Sequence, residues 1–333
     1  GTCPGTLFTQ KKFKTVFIIK KSFFLNMKNK YLTNHPRKKS KRIMASQNEQ
    51  PEQHEEFDWI QDPKQAILKR PDRFLGAKSK STYSTITFED KDGELRPECS
   101  SVVVSGIWKR IFDEVVENAM DASVRDPTVK NIKIEIFQCS GRIIIRNDGR
   151  GMPIKKYKDK ELYIPEIAFS ELNAGENMDD DKTRTTGGRN GVGVTAAVVW
   201  CKEFAVDIID VANHKRFRQI YKDNLSKRSK PVVTVVPKTR KTGYVEVNFV
   251  PDYEKLEMGH VLEKGLSQNE MKLLESRVYE IAAWVENKVN VYLNKTKLPI
   301  QTRSQYFASL CGLGKKGKVA CATAKGEISD VTI

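Results

Sequence analysis

The sequence predicts an α+β fold in which helices pack on one mixed, mostly antiparallel sheet. Apolar residues between positions 107 and 124 recur with the helical period. Ile132, Ile134 and Ile136 alternate with charged residues, as expected of a strand with one buried face. Short, often alternating segments separated by turn residues then follow as far as position 249. A long helix before such a run of strands indicates helices beside a single antiparallel sheet.

The predicted elements begin near Trp59, after a stretch at 44–57 that is rich in Gln, Glu and Ser and is typical of a polar arm. Positions 62–68 form a short helix that ends before Pro71, because a proline pushes the preceding residue away from helical dihedrals. The long helix at 107–124 leads into a hairpin that turns at Gly141. We expect four further strands, at 204–211, 217–221, 232–236 and 244–249.

The pattern changes after Pro251. Positions 270–285 have helical periodicity, and positions 289–293 resemble a strand. We interpret this change as the opening of a second domain that is incomplete at Ile333. The predicted organisation is a basic leader with a polar arm at 1–57, a main domain at 58–262 and an incomplete second domain at 263–333.

The charge is distributed unevenly. The chain carries 58 Lys and Arg against 42 Asp and Glu, which gives a net charge of +16. Positions 1–43 hold 10 Lys, 2 Arg and no acidic residue, so +12 lies there and +4 remains for the rest. A strongly basic chain suggests a polyanionic partner such as nucleic acid. Here that indication comes mainly from the leader, because the remainder is nearly balanced.

The sequence favours neither a membrane protein nor a disulfide scaffold. The apolar run at 16–19 is interrupted by Lys20 and Lys21 and is too short for a membrane span. Six cysteines show neither paired metal-ligand spacing nor a dense disulfide framework. We therefore expect a soluble protein in a reducing compartment. The basic run at 36–42 fits either a nuclear address or a solvated disordered segment.

The helix at 107–124 carries a polar stripe. At about 100° per residue, Glu114, Asn118, Asp121 and Arg125 fall within about 60° of one another. One interpretation is an exposed surface with an ion pair between Asp121 and Arg125. The other is a site in which Glu114 activates a water and the Asn118 amide oxygen is a ligand to Mg²⁺.

Two glycine-containing motifs favour the second interpretation. The first runs from Asn147 to Pro153 and follows the isoleucine strand directly. A carboxylate at Asp148 could accept from the adenine amino group, whereas guanine would present a second acceptor at a cost of roughly 1 to 3 kcal/mol. The second runs from Thr186 to Gly193 and leads into a helix-compatible segment, an arrangement that suits phosphates. It lacks the Gly-Lys-Ser/Thr ending of a Walker loop.

The order of the three patterns is far more specific than any one of them. With this order the chain resembles the ATPases that include DNA gyrase, the ninety-kilodalton heat-shock chaperone, mismatch-repair ATPases and histidine kinases. Within that family it is similar to the ATPase domain of type IIA DNA topoisomerases of eukaryotes and large DNA viruses. The narrower match lies in 68–76, 111–119, the Tyr-Ile-Pro-Glu stretch at 163–166 and the Thr-Gly-Gly-Arg-Asn-Gly stretch at 186–191.

The resemblance implies a Bergerat fold, a two-layer α/β sandwich, followed by the start of a ribosomal-protein-S5-like transducer domain. It implies ATP and Mg²⁺ as cofactors, with Glu114 as general base, Asn118 as Mg²⁺ ligand and Asp148 as the adenine contact. Further nucleotide contacts are implied at Asp121, Arg125, Asn147, Gly151, Asn177, Gly187, Gly188, Arg189, Asn190, Gly191, Val192 and Gly193. It also implies ATP-driven homodimerisation that gates passage of double-stranded DNA, in the nucleus or at a site of viral replication.

This sequence departs from the family's pattern at several points. Val194 and Thr195 stand where the eukaryotic pattern usually has Ala and Lys. No Gln-Thr-Lys loop, whose lysine touches the γ-phosphate in the family, follows Pro251. The cleavage tyrosine and the acidic metal-binding domain are also absent. We therefore expect this chain to bind ATP with weak turnover and not to cut DNA.

Three alternatives remain. A chaperone or mismatch-repair ATPase would share the three motifs but need not carry the narrower stretches. A histidine kinase would need a phosphoacceptor helix, and none of the four histidines lies in one. A basic DNA-binding fragment without turnover could hold DNA phosphates through the leader.

Overall fold

The protein is described from a computed structural model, which covers residues 60–92, 94–158, 160–174, 191–312, 323–325 and 330–332. The α-helices are α1 (Pro63–Lys69), α2 (Gly106–Arg125), α3 (Ile164–Ser170), α4 (Gly193–Val199), α5 (His260–Lys264), α6 (Gln268–Val285) and α7 (Arg303–Leu310). The strands are β1 (Lys80–Lys91), β2 (Glu94–Ser105), β3 (Asn131–Phe137), β4 (Arg142–Gly149), β5 (Cys201–Asp210), β6 (Lys215–Lys222), β7 (Lys227–Arg228), β8 (Val232–Val235), β9 (Gly243–Pro251), β10 (Asn290–Leu293), β11 (Thr296–Lys297), β12 (Thr323–Lys325) and β13 (Asp330–Thr332). Two 3₁₀ turns lie at Pro71–Arg73 and Glu286–Lys288.

Nine strands form the main sheet. Their order is β11-β10-β3-β4-β9-β5-β6-β7, and β8 pairs with β6 beside β7. Every pairing is antiparallel except that of β10 with β3, which is parallel. The predicted α+β class, the mostly antiparallel sheet, the long helix and the six predicted strands from 132 to 249 are confirmed.

Local sequence explains where the helices begin. Asp62 accepts a hydrogen bond from the Lys64 amide at 3.0 Å, and Pro63 occupies the first position of α1, where its missing N–H costs nothing. At α6 the Ser267 hydroxyl accepts from the Glu270 amide, and the Glu270 carboxylate accepts from the Ser267 amide at 2.7 Å. This capping box satisfies two otherwise unpaired donors.

Helix α2 covers one face of the sheet. Its apolar side, which includes Ile111, Phe112 and Val116, is at most 1% exposed. In the sheet, Ile132 near the start of β3 and Ile143 near the start of β4 are completely buried. The opposite face of the sheet carries cross-strand polar pairs such as Arg146 with Glu246 at 3.2 Å. The result is the expected two-layer arrangement of helices packed on a sheet.

The C-terminal elements extend the same sheet. Strand β10 pairs in parallel with β3, and the Asn290 amide donates to the Lys130 carbonyl at 2.8 Å. Helix α6 contacts α2, β1, β2 and β10. The sequence placed a domain boundary between 262 and 263, but no break in the sheet coincides with it. The division into domains stays a prediction.

The sequence did not predict the hairpin of β1 and β2. It pairs over its full length, from Lys80 opposite Ser105 to Lys91 opposite Glu94. The ring of Phe88 lies 5.0 Å from that of Tyr279 on α6 and 5.6 Å from that of Tyr306 on α7, both edge to face. The hairpin is therefore held by helices that follow it by more than 150 residues.

Two general properties follow from the described residues. None of their helices has the length and apolar character that crossing a membrane requires. Among the described cysteines, Cys201 is buried and Cys99, Cys139 and Cys311 are exposed, all as free thiols.

Candidate functional site

The polar stripe of α2 divides between a cavity and the protein interior. Asn118 and Arg125 line the cavity. Glu114 lies beyond its edge with a side chain 16% exposed, and Asp121 is buried at 3%. The spacing therefore identified two cavity residues correctly, whereas Asp121 points into the protein.

Glu114 is held between an arginine and the start of α4. Arg110 Nη2 lies 2.5 Å from Glu114 Oε1, one turn earlier on the same helix. A Cβ added at Gly193 would lie 1.7 Å from Glu114 Oε2, so only glycine fits there without moving the carboxylate. Burial raises the pKa of the Glu114 carboxyl, and neighbouring acidic side chains add to the rise while Arg110 opposes it. A raised pKa makes this carboxylate a stronger general base.

The amide of Asn118 has a fixed orientation. Its Nδ2 donates to the Glu114 carbonyl at 2.8 Å, which leaves Oδ1 available on the cavity side. An amide oxygen suits Mg²⁺, which prefers oxygen ligands and keeps several waters. The donor set present at Asn118 therefore fits the predicted metal ion. Within the described part of the chain, no group of three or more His, Cys, Asp or Glu side chains could hold a metal by itself.

The structure corrects the role predicted for Asp148. Successive side chains of a strand point to opposite faces, and in β4 Ile143, Ile145 and Asn147 share the buried face. Asn147 is 5% exposed and lines the cavity, whereas Asp148 does not. The Asp148 carboxylate accepts from the amides of Lys130 at 2.7 Å and Asn131 at 2.9 Å, away from the cavity. The prediction that Asp148 faces the site is therefore corrected, because Asn147, which the sequence also named as a nucleotide contact, is the residue that lines the cavity.

The turn after β4 requires its second glycine. Gly151 has φ +83°, and a Cβ there would lie 1.9 Å from the Ile209 carbonyl oxygen. The backbone of 149–151 consequently packs directly on the end of β5. Met152 and Pro153, the next two residues, line the cavity.

The cavity has a volume of about 790 Å³ and is bounded by α2, β4, β9, α3 and the segments that flank them. Its apolar wall includes Val115, Ala119, Ile145, Met152, Ile167, Phe169, Val245 and Val247. Its polar side chains are Asn118, Arg125, Asn147, Tyr157, Lys160, Glu171 and Asn173. An apolar cavity with a few polar side chains is typical of a small-molecule site and suits a flat ring with a polar substituent.

The Tyr-Ile-Pro-Glu stretch fixes the wall formed by α3. Glu166, 3% exposed, accepts from the Tyr163 amide at 2.9 Å and from Gln219 Nε2 at 3.1 Å. This buried carboxylate ties the first turn of α3 to β6. The sequence pattern marked the stretch, but it did not show that Glu166 has a structural role.

The glycine-rich loop is described only at its end. The Ala174 amide donates to the Gly191 carbonyl at 3.3 Å, and Gly191 has φ +58°. Val192 precedes α4, and Gly193 is its first residue, next to Glu114. The predicted contacts Asn177, Gly187, Gly188, Arg189 and Asn190 lie outside the described residues.

Sequence reasoning missed two residues that shape this site. Arg110 is one turn before Glu114, so the spacing of four could have revealed the ion pair. Asp126 follows α2 directly, and its Oδ2 accepts from the Arg150 amide at 2.7 Å. No local pattern indicates that contact, because the two residues belong to different elements.

A family model and several known proteins match this chain. The family model described as histidine kinase-, DNA gyrase B-, and HSP90-like ATPase matches residues 105–235. DNA topoisomerase 2 of Candida albicans is 35% identical over 240 residues, which is 72% of this chain and 16% of that protein. DNA topoisomerase 2 of Saccharomyces cerevisiae is 34% identical over 241 residues, again 72% of this chain and 16% of that protein. The chain thus spans about a sixth of the length of these relatives.

Solved structures give the same result. The ATPase region of Saccharomyces cerevisiae topoisomerase II superposes with a TM-score of 0.68 at 30% identity, covering 77% of this chain and 65% of that one. The ATPase and transducer domains of DNA topoisomerase II from Balamuthia mandrillaris also give 0.68 at 30% identity, covering 76% and 63%.

Proposed function

We propose that this chain binds and hydrolyses ATP with Mg²⁺ in this cavity. The proposal proceeds from its membership of the family of histidine kinase-, DNA gyrase B- and HSP90-like ATPases and its homology to the ATPase region of topoisomerase II. The observation that carries the proposal is the joint placement of three polar side chains around an apolar slot. Asn147, Asn118 and Arg125 line the same cavity, and Glu114 lies next to its edge.

The purine lies at the Asn147 end in this proposal. Asn147 Nδ2 donates to the Asp148 carbonyl at 2.9 Å, so Oδ1 is the atom left to accept from the adenine amino group. Guanine would place a carbonyl oxygen against Oδ1. Turning the amide over to donate would break the bond to Asp148. The site is therefore expected to prefer adenine by about tenfold, since an unpaired buried acceptor costs roughly 1 to 3 kcal/mol.

The phosphates lie towards α4 and the Arg125 side chain. Asn118 would hold Mg²⁺ through Oδ1, and the ion would neutralise phosphate charge when it is bound. Glu114 would accept a proton from the attacking water, and it lies against Gly193 at the start of α4. The residues of 187–190 and Asn177 join this end of the site in the proposal on the strength of the resemblance.

The proposal also includes two partners, a second copy of the chain and double-stranded DNA. By the resemblance, ATP binding drives homodimerisation, and the dimer gates passage of double-stranded DNA in the nucleus or at a site of viral replication. The relatives named above support the proposed dimerisation and DNA passage, because both are called DNA topoisomerase 2.

Equilibrium binding of non-hydrolysable ATP and GTP analogues with Mg²⁺ tests the site. We expect Asn147→Ala to weaken binding of the ATP analogue and Asn118→Ala to weaken binding of both analogues. Asn248→Ala is the matched control, because Asn248 lies on the other face of the sheet, where it accepts from Arg142 at 2.6 Å. A folded wild-type chain that binds neither analogue would overturn the proposal, with circular dichroism as the folding check.

A further inference from the structure

The segment 147–154 forms the base-contacting end of the cavity, yet beyond Gly149 it belongs to no helix or strand. It contributes Asn147, Met152 and Pro153 to the cavity lining. An irregular segment presents three side chains in a fixed arrangement only if its backbone is held by other groups. Three aspartates outside the cavity lining supply those contacts.

Asp126 holds the start of the turn. Its Oδ2 accepts from the Arg150 amide at 2.7 Å, and its Oδ1 accepts from the Thr128 amide at 2.9 Å and hydroxyl at 2.6 Å. The fit is close, because a Cβ at Gly149 would lie 2.6 Å from Asp126 Oδ2. Gly149 itself has φ +118°. The carboxylate and the glycine backbone therefore fix each other's positions.

Asp148 makes the reverse connection. Asp126 accepts from the turn, and Asp148, at the end of β4, accepts from the backbone that follows Asp126. Its Oδ1 receives the amides of Lys130 and Asn131, and its Oδ2 receives Asn131 Nδ2 at 2.6 Å. The two aspartates thus join the end of β4 and the start of β3 in both directions.

Asp210 holds the far end of the segment. It is 3% exposed at the end of β5, and its Oδ2 accepts from the Ile154 amide at 2.8 Å. Its Oδ1 accepts from the amides of Ala212 and Asn213 at 3.0 and 3.1 Å. The Val211 amide also donates to the Arg150 carbonyl at 3.2 Å. Hydrogen bonds to carboxylates are about twice as strong as neutral ones, so both ends of 147–154 are firmly fixed.

We propose that Asp126, Asp148 and Asp210, together called the carboxylate clamp, are positioning residues that hold segment 147–154 in the conformation that contacts the purine. The clamp rests on the proposed nucleotide site, since it acts only through Asn147, Met152 and Pro153. Its effect is expected at the base end, because Asn147, Met152 and Pro153 lie in the segment that it holds.

The test compares Kd for the non-hydrolysable ATP and GTP analogues in Asp126→Ala and Asp207→Ala. The two aspartates are matched, with side chains 19% and 21% exposed, and Asp207 accepts from Arg216 Nε at 2.9 Å on the open face of β5. Asp126→Ala is expected to weaken the ATP analogue about tenfold and to bring the two Kd values within about threefold, because preorganisation of the base contact is lost. Asp207→Ala is expected to leave both Kd values unchanged.

The ratio of the two Kd values separates positioning from general stability. A merely structural role, measured well below the melting temperature, would leave the preference for adenine intact. An unchanged ratio in Asp126→Ala would overturn the clamp while the nucleotide site stands. Failure of the wild-type chain to bind would instead overturn the proposed function, and the clamp with it. If Asp210→Ala, the buried member, does not fold, Asp126→Ala still decides the question.

Discussion

Replacing Gly193 by alanine should displace the candidate base while leaving the fold intact. Gly193 is the first residue of α4, and its φ lies outside the left-handed region, so alanine fits its backbone. Alanine favours a helix over glycine by up to about 1 kcal/mol, so the variant should be at least as stable as the wild type. The new methyl group, however, would lie 1.7 Å from Glu114 Oε2.

The size of the displacement follows from that contact. The carboxylate oxygen has to move from 1.7 Å to at least 3.0 Å from the Cβ, a shift of about 1.3 Å. Glu114 achieves this by rotating its side chain, which is inexpensive. A misplacement of about 1 Å at a reacting group can lower a rate by about 100-fold, which corresponds to about 2.7 kcal/mol of barrier.

Single-turnover hydrolysis of labelled ATP, with protein in excess, measures this loss, and Glu114→Gln supplies the rate without a base. Gly259→Ala is the control, because Gly259 is the N-cap of α5 and has no atom within 4 Å of an added Cβ. We expect Gly193→Ala to approach the Glu114→Gln rate and Gly259→Ala to match the wild type. A wild-type rate in Gly193→Ala would refute the assignment of Glu114 as base.

Three further predictions concern stability. Burial of Asp126 favours a higher pKa, but hydrogen bonds from Thr128 and the backbone outweigh it and hold the pKa of Asp126 below its ordinary value. The stabilisation of the fold by ionised Asp126 is therefore present above about pH 4 and is lost as the pH falls through the lowered pKa. In thermal melts from neutral to acid pH, Asp126→Ala should accordingly lose less stability than the wild type. Arg277→Met should cost about 3 kcal/mol in urea unfolding, because Arg277 Nε lies 3.3 Å from the buried Asp113 carboxylate; an unchanged midpoint would contradict this. Gly151→Ala should prevent folding or lower the melting temperature far more than Gly76→Ala. Both glycines have a positive φ, but an added Cβ would lie 1.9 Å from a backbone oxygen at Gly151 and would have no atom within 4 Å at Gly76. Similar melting temperatures of the two variants would contradict the close packing at Gly151.

Much of the fold was predictable because local patterns and packing agree. The helix at 107–124 and the isoleucine strand carry the periods of their elements, and the structure extends each by only one or two residues. The β1–β2 hairpin was missed for the opposite reason. Its burial does not alternate regularly, and its apolar side chains pack on α6 and α7, which the chain supplies much later.

The site was predicted in part. The structure brings residues of two predicted motifs, α2 and the 147–153 segment, to one cavity. Asp148 was expected to face the site, but Asn147 lines the cavity instead; strand alternation could have shown this, since Ile143 and Ile145 already define the buried face. Asp126 and Asp210 were not predictable from spacing, because each contacts the segment from another strand or helix.

The parallel pairing of β10 with β3 has a consequence for synthesis on the ribosome. Asn290 contacts Lys130 across 160 residues of chain. Because the ribosome adds about 5–20 residues per second, β10 is synthesised on the order of ten seconds after β3. Until then the backbone donors and acceptors of β3 form an open edge, which is where nascent sheets associate wrongly. Holdase chaperones should therefore bind nascent chains of intermediate length and release them once residues beyond 297 have emerged.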